Sequence, residues 1–258
     1  IPFGKLADLY GRKRVYLYGI TLFTIASGLL PLYPSAYTLI GFRALMGVGS
    51  AMIFGTGVAI LTSSVSAEER GSMLGVNVAV VYVGLSIGPF LGGYLTENLG
   101  WESIFYFNVL IGLTSILLTL TKLRAEWKEE DVKKFDYIGS VLYSLTLLFL
   151  IYGISNIPSR ESLLTILVGL ILFSIFIIAE RRIEHPVLDL QLFASNRAFS
   201  FGNLAALLNY SATFAITFLL SLYLQYIQGM NAQEAGLLMI ASPIVQAVVS
   251  PVAGRLSD

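Results

Sequence analysis

Eight long stretches without a charged residue constrain this sequence of 258 residues more than any other feature. A helix that crosses a membrane needs about 20 mostly apolar residues, and each stretch can supply one. Only 12% of the residues are charged, about half the share found in soluble domains, which excludes a soluble cytosolic enzyme. The charge-free stretches are 15–42, 44–67, 71–96, 103–121, 137–159, 162–179, 198–233 and 235–254.

We predict an all-α, polytopic membrane bundle with eight transmembrane helices. The apolar runs are too long for barrel strands of about ten residues, and they lack the alternation of a strand. Proline, glycine and asparagine residues cluster in the connectors, where they would end each helix. The predicted helices lie near 15–33, 36–62, 72–95, 103–121, 137–155, 162–180, 199–226 and 234–254.

The lysine and arginine residues predict the orientation of these helices. Fourteen of the sixteen fall in one set of connectors, and only Arg160 falls in the opposite set. Because positively charged loops stay in the cytoplasm, we expect both ends of the chain to be cytoplasmic. The most highly charged connector, residues 122–136, is predicted to be a solvated and partly helical linker. The single histidine, His185, lies in another connector and is assigned no role.

Residues 4–14 read Gly-Lys-Leu-Ala-Asp-Leu-Tyr-Gly-Arg-Lys-Arg. A merely basic loop would explain the cations but not the spacing of Gly4, Asp8 and Gly11. The segment resembles the signature loop of the major facilitator superfamily, which joins the second and third spans on the cytoplasmic side, and every defining position is matched. The resemblance implies that Asp8, Gly11 and Arg12 stabilise one of the alternating states of a transporter.

The second predicted helix contains Arg43, roughly 10 Å from its outer end at 1.5 Å per residue. An ionised group is costly there, so we expect it to face the bundle interior and to have a partner. Residues 43–49 resemble the superfamily's Arg-x-x-Gln-Gly-x-Gly element, which implies a role in proton movement, although Met46 replaces the glutamine. The alternative is a snorkelling or structural arginine bound to carbonyl groups. We expect any partner carboxylate in a segment outside this sequence.

The third predicted helix carries a long pattern of glycines with one proline. Small residues four apart let two helices approach closely, and a proline within a helix removes a backbone hydrogen bond and bends it. Generic close packing is the alternative, but the full spacing resembles the antiporter motif of drug:proton exporters in the superfamily. Such a helix suits a moving contact between two half-bundles. The motif residues are Gly75, Gly84, Gly88, Pro89, Gly92 and Gly93.

Residues 250–258 resemble the start of the same signature loop as it recurs in the second half of the superfamily. Equivalent loops are six spans apart in members built from two six-span halves, but eight separate them here. The resemblance is therefore to fourteen-span drug:proton antiporters, and we interpret the chain as a fragment from the loop after the second span to the loop after the tenth. Its parts are the remainder of the N-terminal half (1–121), linkers with two extra central helices (122–198) and the start of the C-terminal half (199–258).

These resemblances imply a secondary active transporter of the plasma membrane that exports amphipathic drugs or other small molecules in exchange for protons. A carrier of the same fold for uptake or uncoupled transport of another solute is the alternative. We expect a monomer whose partners are substrate, protons and lipid, with no nucleic acid, metal or cofactor. An enzyme is not expected, because no Asp, Glu, His or Cys lies inside a predicted span away from its ends. Amides that could line a substrate cavity, or instead form interhelical hydrogen bonds, are Asn203, Asn209, Gln225 and Gln246.

Overall fold

A computed structural model describes residues 1–33, 35–128, 135–230 and 232–257, and these residues form helices and connectors without a strand. Within these described ranges, eight helical segments are long and apolar enough to cross a membrane. Their ends differ from the predicted ones by no more than about one and a half helical turns. The predicted all-α polytopic bundle is therefore confirmed. The spans are Arg12–Leu32, Ala36–Ser63, Ala67–Leu99, Glu102–Lys122, Tyr137–Ser155, Arg160–Glu180, Arg197–Ile227 and Glu234–Gly254.

Eleven α-helices make up the described part of the chain. Most of the large apolar side chains on them are exposed, as expected where lipid rather than protein covers the helix surface. The helices are α1 (Pro2–Tyr10), α2 (Arg12–Leu29), α3 (Ala36–Ser63), α4 (Arg70–Leu99), α5 (Glu102–Lys122), α6 (Tyr137–Ser155), α7 (Arg160–Glu180), α8 (Leu190–Ser195), α9 (Arg197–Leu222), α10 (Ala232–Met239) and α11 (Ala241–Ser257).

The helices group into two compact units. The first comprises Ile1–Tyr10 and Lys128–Leu207, and within it α6 packs against α7. The second comprises Gly11–Trp127 and Leu208–Asp258, and within it α2 packs against α3 and α5, while α4 packs against α11. The assignment of residues to the halves of a larger transporter stays a prediction.

Short polar side chains begin three of the long helices. Ser35 caps α3, because its Oγ accepts from Thr38 N while Thr38 Oγ1 accepts from Ser35 N, which forms a reciprocal capping box. The carboxylate of Asp136 caps α6, and the hydroxyl of Ser159 caps α7. Each cap satisfies a backbone N–H that has no partner within its helix, so the starting points of these helices are set locally.

The core of the second unit lies where α2, α3 and α5 meet. Ala26, Leu30, Met46 and Phe105 are buried together there. Nearby, α2 crosses α3 so closely that a Cβ on Gly49 would lie 2.7 Å from the carbonyl oxygen of Gly19. Glycine at this crossing allows backbone-to-backbone contact, which is how membrane helices associate without a hydrophobic driving force.

Four local features differ from the predicted arrangement. The short helices α1 and α8 were not predicted, and the last span is broken at Ile240 between α10 and α11. Pro243 explains the break, because a proline has no N–H to donate to the preceding turn. Residues 123–128 are not helical, and the rest of the expected helical linker, 129–134, lies outside the described residues.

Candidate functional site

The signature segment, residues 4–14, is divided between α1 and α2. Asp8 is half-buried in α1, within the first unit, whereas Gly11 and Arg12 belong to the second unit. Gly11 separates the two helices with a φ of 111°. Residues with a Cβ rarely adopt that conformation, which explains the glycine at this position.

Arg12 joins the beginning of α2 to the end of α3. Its Nη1 donates a hydrogen bond to Ser63 Oγ at 2.7 Å, and its backbone N–H donates to the carbonyl of Trp127 at 2.8 Å. A guanidinium that donates a hydrogen bond to the last residue of a neighbouring helix holds the two helix ends next to each other. The arginine therefore has a defined positioning role within the second unit.

The segment after α5, residues 123–127, lies across the beginning of α2. Glu126 Oε1 accepts from Lys13 N at 2.9 Å, and Glu126 Oε2 lies 3.8 Å from Arg14 Nε. Lys13 Nζ also donates to the carbonyl of Leu123. A carboxylate at a helix N-terminus is favourable because it meets free N–H groups and the positive end of the helix dipole. Residues 123–127, hereafter the α2 strap, thus cap the helix that follows the signature segment.

We predict that Glu126→Ala loosens the α2 strap. Loss of a helix cap costs about 1 kcal/mol, which increases local opening roughly fivefold. The rate of tryptic cleavage after Arg124 and Lys128 should rise by that factor in the full-length protein. Glu161→Ala, which removes an exposed carboxylate from the first turn of α7, is the matched control and should leave the rate unchanged. Equal cleavage rates in all three proteins would contradict the capping role.

Arg43 lies on α3 beside the aromatic core of the second unit. Its guanidinium carbon is 5.0 Å from the centroid of the Phe105 ring on α5. A cation over an aromatic face is stabilised by about 0.5–2 kcal/mol, depending on how far it is desolvated. The described part of the chain otherwise leaves Arg43 exposed. Its enclosure within a bundle, with a carboxylate partner, stays a prediction about the whole protein.

Met46, which occupies the glutamine position of the resembled element, is buried next to this arginine. It packs with Phe105 in the core of the second unit and is 5% exposed. The Phe105 ring in turn makes an edge-to-face contact with Trp101, with centroids 5.8 Å apart. The surroundings of Arg43 in this unit are therefore aromatic and apolar, and Phe105 is a contact that the sequence did not indicate.

The beginning of α4 packs closely against the end of α11. A Cβ on Gly75 would lie 2.6 Å from the carbonyl oxygen of Ser250, and one on Gly254 would lie 2.5 Å from that of Gly71. Real Cβ atoms essentially never come so close, so any larger residue requires the backbones to separate. We call these four residues, Gly71, Gly75, Ser250 and Gly254, the α4–α11 seam.

The other glycines of the α4 motif do not take part in the seam. A Cβ on Gly84, Gly88, Gly92 or Gly93 would meet no atom within 4 Å from the described residues. Gly75 and Gly84 are nine residues apart, about two and a half turns, so they lie on opposite sides of the helix. The helix α4 continues without interruption past Pro89, and the bend expected there stays a prediction.

Three of the four candidate cavity amides donate a side-chain hydrogen bond to a residue one helical turn earlier in the chain. Asn203, Gln225 and Gln246 each donate to a group four residues earlier, at 2.8, 2.9 and 3.1 Å respectively. Asn209 is exposed on α9. Gln225 lies in a π-helical turn, Tyr223–Ile227, an irregularity that is frequent at functional sites. These bonds are not the interhelical ones considered as the alternative to a cavity.

The chain is similar to one family model and to several curated proteins. The family model of the Major Facilitator Superfamily matches residues 1–258. Riboflavin transporter RibZ of Clostridioides difficile is 35% identical over 257 residues, which cover 99% of this chain and 56% of that protein. Multidrug resistance protein Stp of Mycobacterium tuberculosis is 31% identical, over 97% of this chain and 48% of its own length. Multidrug resistance protein 3 of Bacillus subtilis is 29% identical, over 98% and 50%.

The matches extend along essentially the whole of this chain but not along the whole of its relatives. The chain spans about half the length of the curated relatives it matches. Sites in the remaining half of such proteins would add to the residues described above.

Proposed function

Because the chain belongs to the major facilitator superfamily, we propose that it forms the central part of a proton-coupled exporter of amphipathic small molecules. It is a multi-pass membrane protein of a transporter family, and such proteins are not enzymes. The proposed exporter resides in the cell membrane with both ends of this chain in the cytoplasm. Substrate would bind between two half-bundles that expose it alternately to the two sides.

The α4–α11 seam is the observation that carries this proposal. In our interpretation α4 belongs to the N-terminal half and α11 begins the C-terminal half. The seam joins the first turns of α4 to the last turns of α11, which are the ends that we assign to the cytoplasm. A closed seam would therefore seal the cytoplasmic side, and its separation would open that side to substrate. Small residues suit such a contact because they can part and rejoin without interlocking side chains.

The second glycine face of α4 and the arginine on α3 supply the other parts of the mechanism. Gly84, Gly88 and Gly92 recur every four residues along that face and leave room for another helix to approach in a different state, whereas Gly93 lies on the opposite side of α4. Arg43 would respond to protons through a carboxylate in the remainder of the protein, because a buried arginine itself stays charged. An arginine that only snorkels to the membrane surface would not couple transport to protons.

The relatives' names support export without fixing the substrate. Two are named multidrug resistance proteins, while the relative with 35% identity is named a riboflavin transporter. That identity favours a second candidate function, a carrier for one aromatic, amphipathic solute such as riboflavin. Both candidates need the same fold, and they differ in the breadth of substrates and in the direction of transport.

Inside-out vesicles that contain the full-length protein distinguish these functions. We expect an imposed acidic interior to drive accumulation of a fluorescent amphipathic cation, and a protonophore to abolish it. Riboflavin in a parallel experiment tests the second candidate, and vesicles without the protein are the control. Accumulation that is insensitive to the protonophore would contradict proton coupling. Loss of preloaded solute under the same gradient would contradict export.

A further inference from the structure

Two carboxyl groups meet where the beginning of α6 approaches the end of α7, within the first unit. Asp136 Oδ1 accepts from Gly139 N at 2.8 Å and caps α6. Glu180, the last residue of α7, is only 3% exposed, and its Oε2 accepts from Leu188 N at 3.1 Å. One oxygen of each carboxyl group is therefore held in place by a backbone N–H.

The other oxygen of each group is buried and faces its counterpart. Asp136 Oδ2 and Glu180 Oε1 have no donor among the described residues. A Cβ on Gly139 would collide with both atoms, so the two oxygens share the small space beside that glycine. The two carboxyl groups are therefore direct neighbours. Two ionised carboxylates offer only acceptors, so a bond between them requires a proton.

No cation in the described part of the chain neutralises this pair. The one salt bridge between described residues joins Arg14 to Glu126 in the other unit. Arg181 and Arg182, which follow α7, are exposed. None of the remaining titratable groups on the packed elements bonds either orphan oxygen; they are Tyr137, Tyr143 and Tyr152 on α6, Arg160 and Glu161 at the other end of α7, and Glu184, His185 and Asp189 after α7.

We propose that Asp136 and Glu180 share one bound proton, which makes the α6–α7 pair a proton-binding site separate from Arg43. Like charges in a desolvated site cannot both persist at low cost, whereas one proton converts their repulsion into a short O–H···O⁻ hydrogen bond. The proton belongs to the pair and is not assigned to either residue. The site does not depend on which solute the protein transports.

Release of this proton at high pH weakens the α6–α7 contact. At neutral pH the folded protein would hold a proton that an unfolded carboxyl, which titrates at about pH 4, has already released, so stability against unfolding falls as pH rises through the release in the folded state. Glu180→Gln replaces the shared proton by an amide donor to Asp136 and removes the titration. Glu161→Gln makes the same change at an exposed position in the first turn of α7 and is the matched control.

Infrared difference spectroscopy of the full-length protein in lipid nanodiscs tests the site. We expect wild type minus Glu180→Gln, at neutral pH, to show the carbonyl stretch of a protonated carboxylic acid, which shifts in D₂O and vanishes at alkaline pH. Wild type minus Glu161→Gln should lack that band. Carboxylic acids elsewhere in the protein absorb equally in the wild type and in the variant, so their bands cancel in the difference spectrum.

Melting temperatures provide the second measurement. We expect the wild type and Glu161→Gln to lose several degrees between neutral and alkaline pH, and Glu180→Gln to lose less. Should Glu180→Gln fail to fold, disappearance of the acid band from the wild type on alkalisation remains as the test. A wild type without a titrating acid band, or equal pH dependence in all three proteins, would overturn the proposal. Stabilisation of the wild type by sodium but not by potassium would also overturn it, since a metal ion would then occupy the pair.

Discussion

Replacing Gly75 with leucine is expected to force the α4–α11 seam apart and to reduce transport by the full-length protein at least fivefold. A Cβ alone would lie 2.6 Å from a backbone carbonyl oxygen of α11, so the helices must separate to admit any side chain. Overpacking costs about 1–3 kcal/mol, which shifts an equilibrium between two states by roughly five- to 150-fold. The shift should favour the state in which the seam is open.

Cysteine labelling measures this opening directly. Residues 1–258 contain no cysteine, so Ser250→Cys introduces a single reporter among them, within the seam. Alkylation of that cysteine by a maleimide should be slow in the parent protein and faster in Gly75→Leu. Gly84→Leu adds the same side chain to the open side of α4, away from the seam, and should not speed the labelling. Equal labelling in both leucine variants would show that the seam does not close in the membrane.

Arg43→Ala is expected to uncouple transport from the proton gradient. Removing the guanidinium deletes the only charge that the predicted spans carry away from their ends. In proteoliposomes, accumulation of substrate driven by a pH gradient should fall at least tenfold. Exchange of labelled for unlabelled substrate without a gradient should persist, because it needs only the substrate site. The ratio of the two rates therefore separates coupling from binding.

Phe105→Leu is the matched control for the arginine. It keeps the charge and most of the buried volume but removes the aromatic face that lies 5.0 Å from the guanidinium. Loss of this contact costs about 0.5–2 kcal/mol, so we expect reduced but measurable gradient-driven accumulation. Full coupling in Arg43→Ala would make the arginine a structural residue. Equal losses of exchange and accumulation would assign it to substrate binding or folding.

The membrane spans could be predicted because their determinants are local. Stretches without charge define each span, and the caps formed by Ser35, Asp136 and Ser159 lie within a few residues of the helices that they begin. Pro243 is likewise a local signal for the break at Ile240. Hydropathy alone does not distinguish a continuous span from two helices in sequence.

The contacts between distant segments were not predictable in this way. Glu126 caps α2 although it is 113 residues from Lys13 in the chain, and the partner of the α4 glycines lies on α11. The pairing of Asp136 with Glu180 likewise depends on how α6 and α7 pack. Considered singly, each of these residues is of a type that is common in connectors or in membrane spans. Only the packing of the helices brings their chemistry together.

The sequence therefore indicates which residues are candidates for the site, but it does not indicate which residues contact one another. The resemblance indicated Gly75 and Arg43, whereas the structure adds Gly254 and Phe105 as their neighbours. Their roles in transport stay predictions because those roles concern states and segments beyond this chain. The amides remain candidates for a cavity, since their observed bonds stay within single helices.

Drug-dependent proton release from inside-out vesicles tests the central claim most directly. Vesicles that contain the full-length protein are first acidified inside, and an amphipathic substrate is then added while the internal pH is recorded. Proton-coupled export predicts that addition of substrate raises the internal pH, and that Arg43→Ala abolishes this response. Substrate entry without a change in internal pH, or an unchanged response in Arg43→Ala, would contradict it.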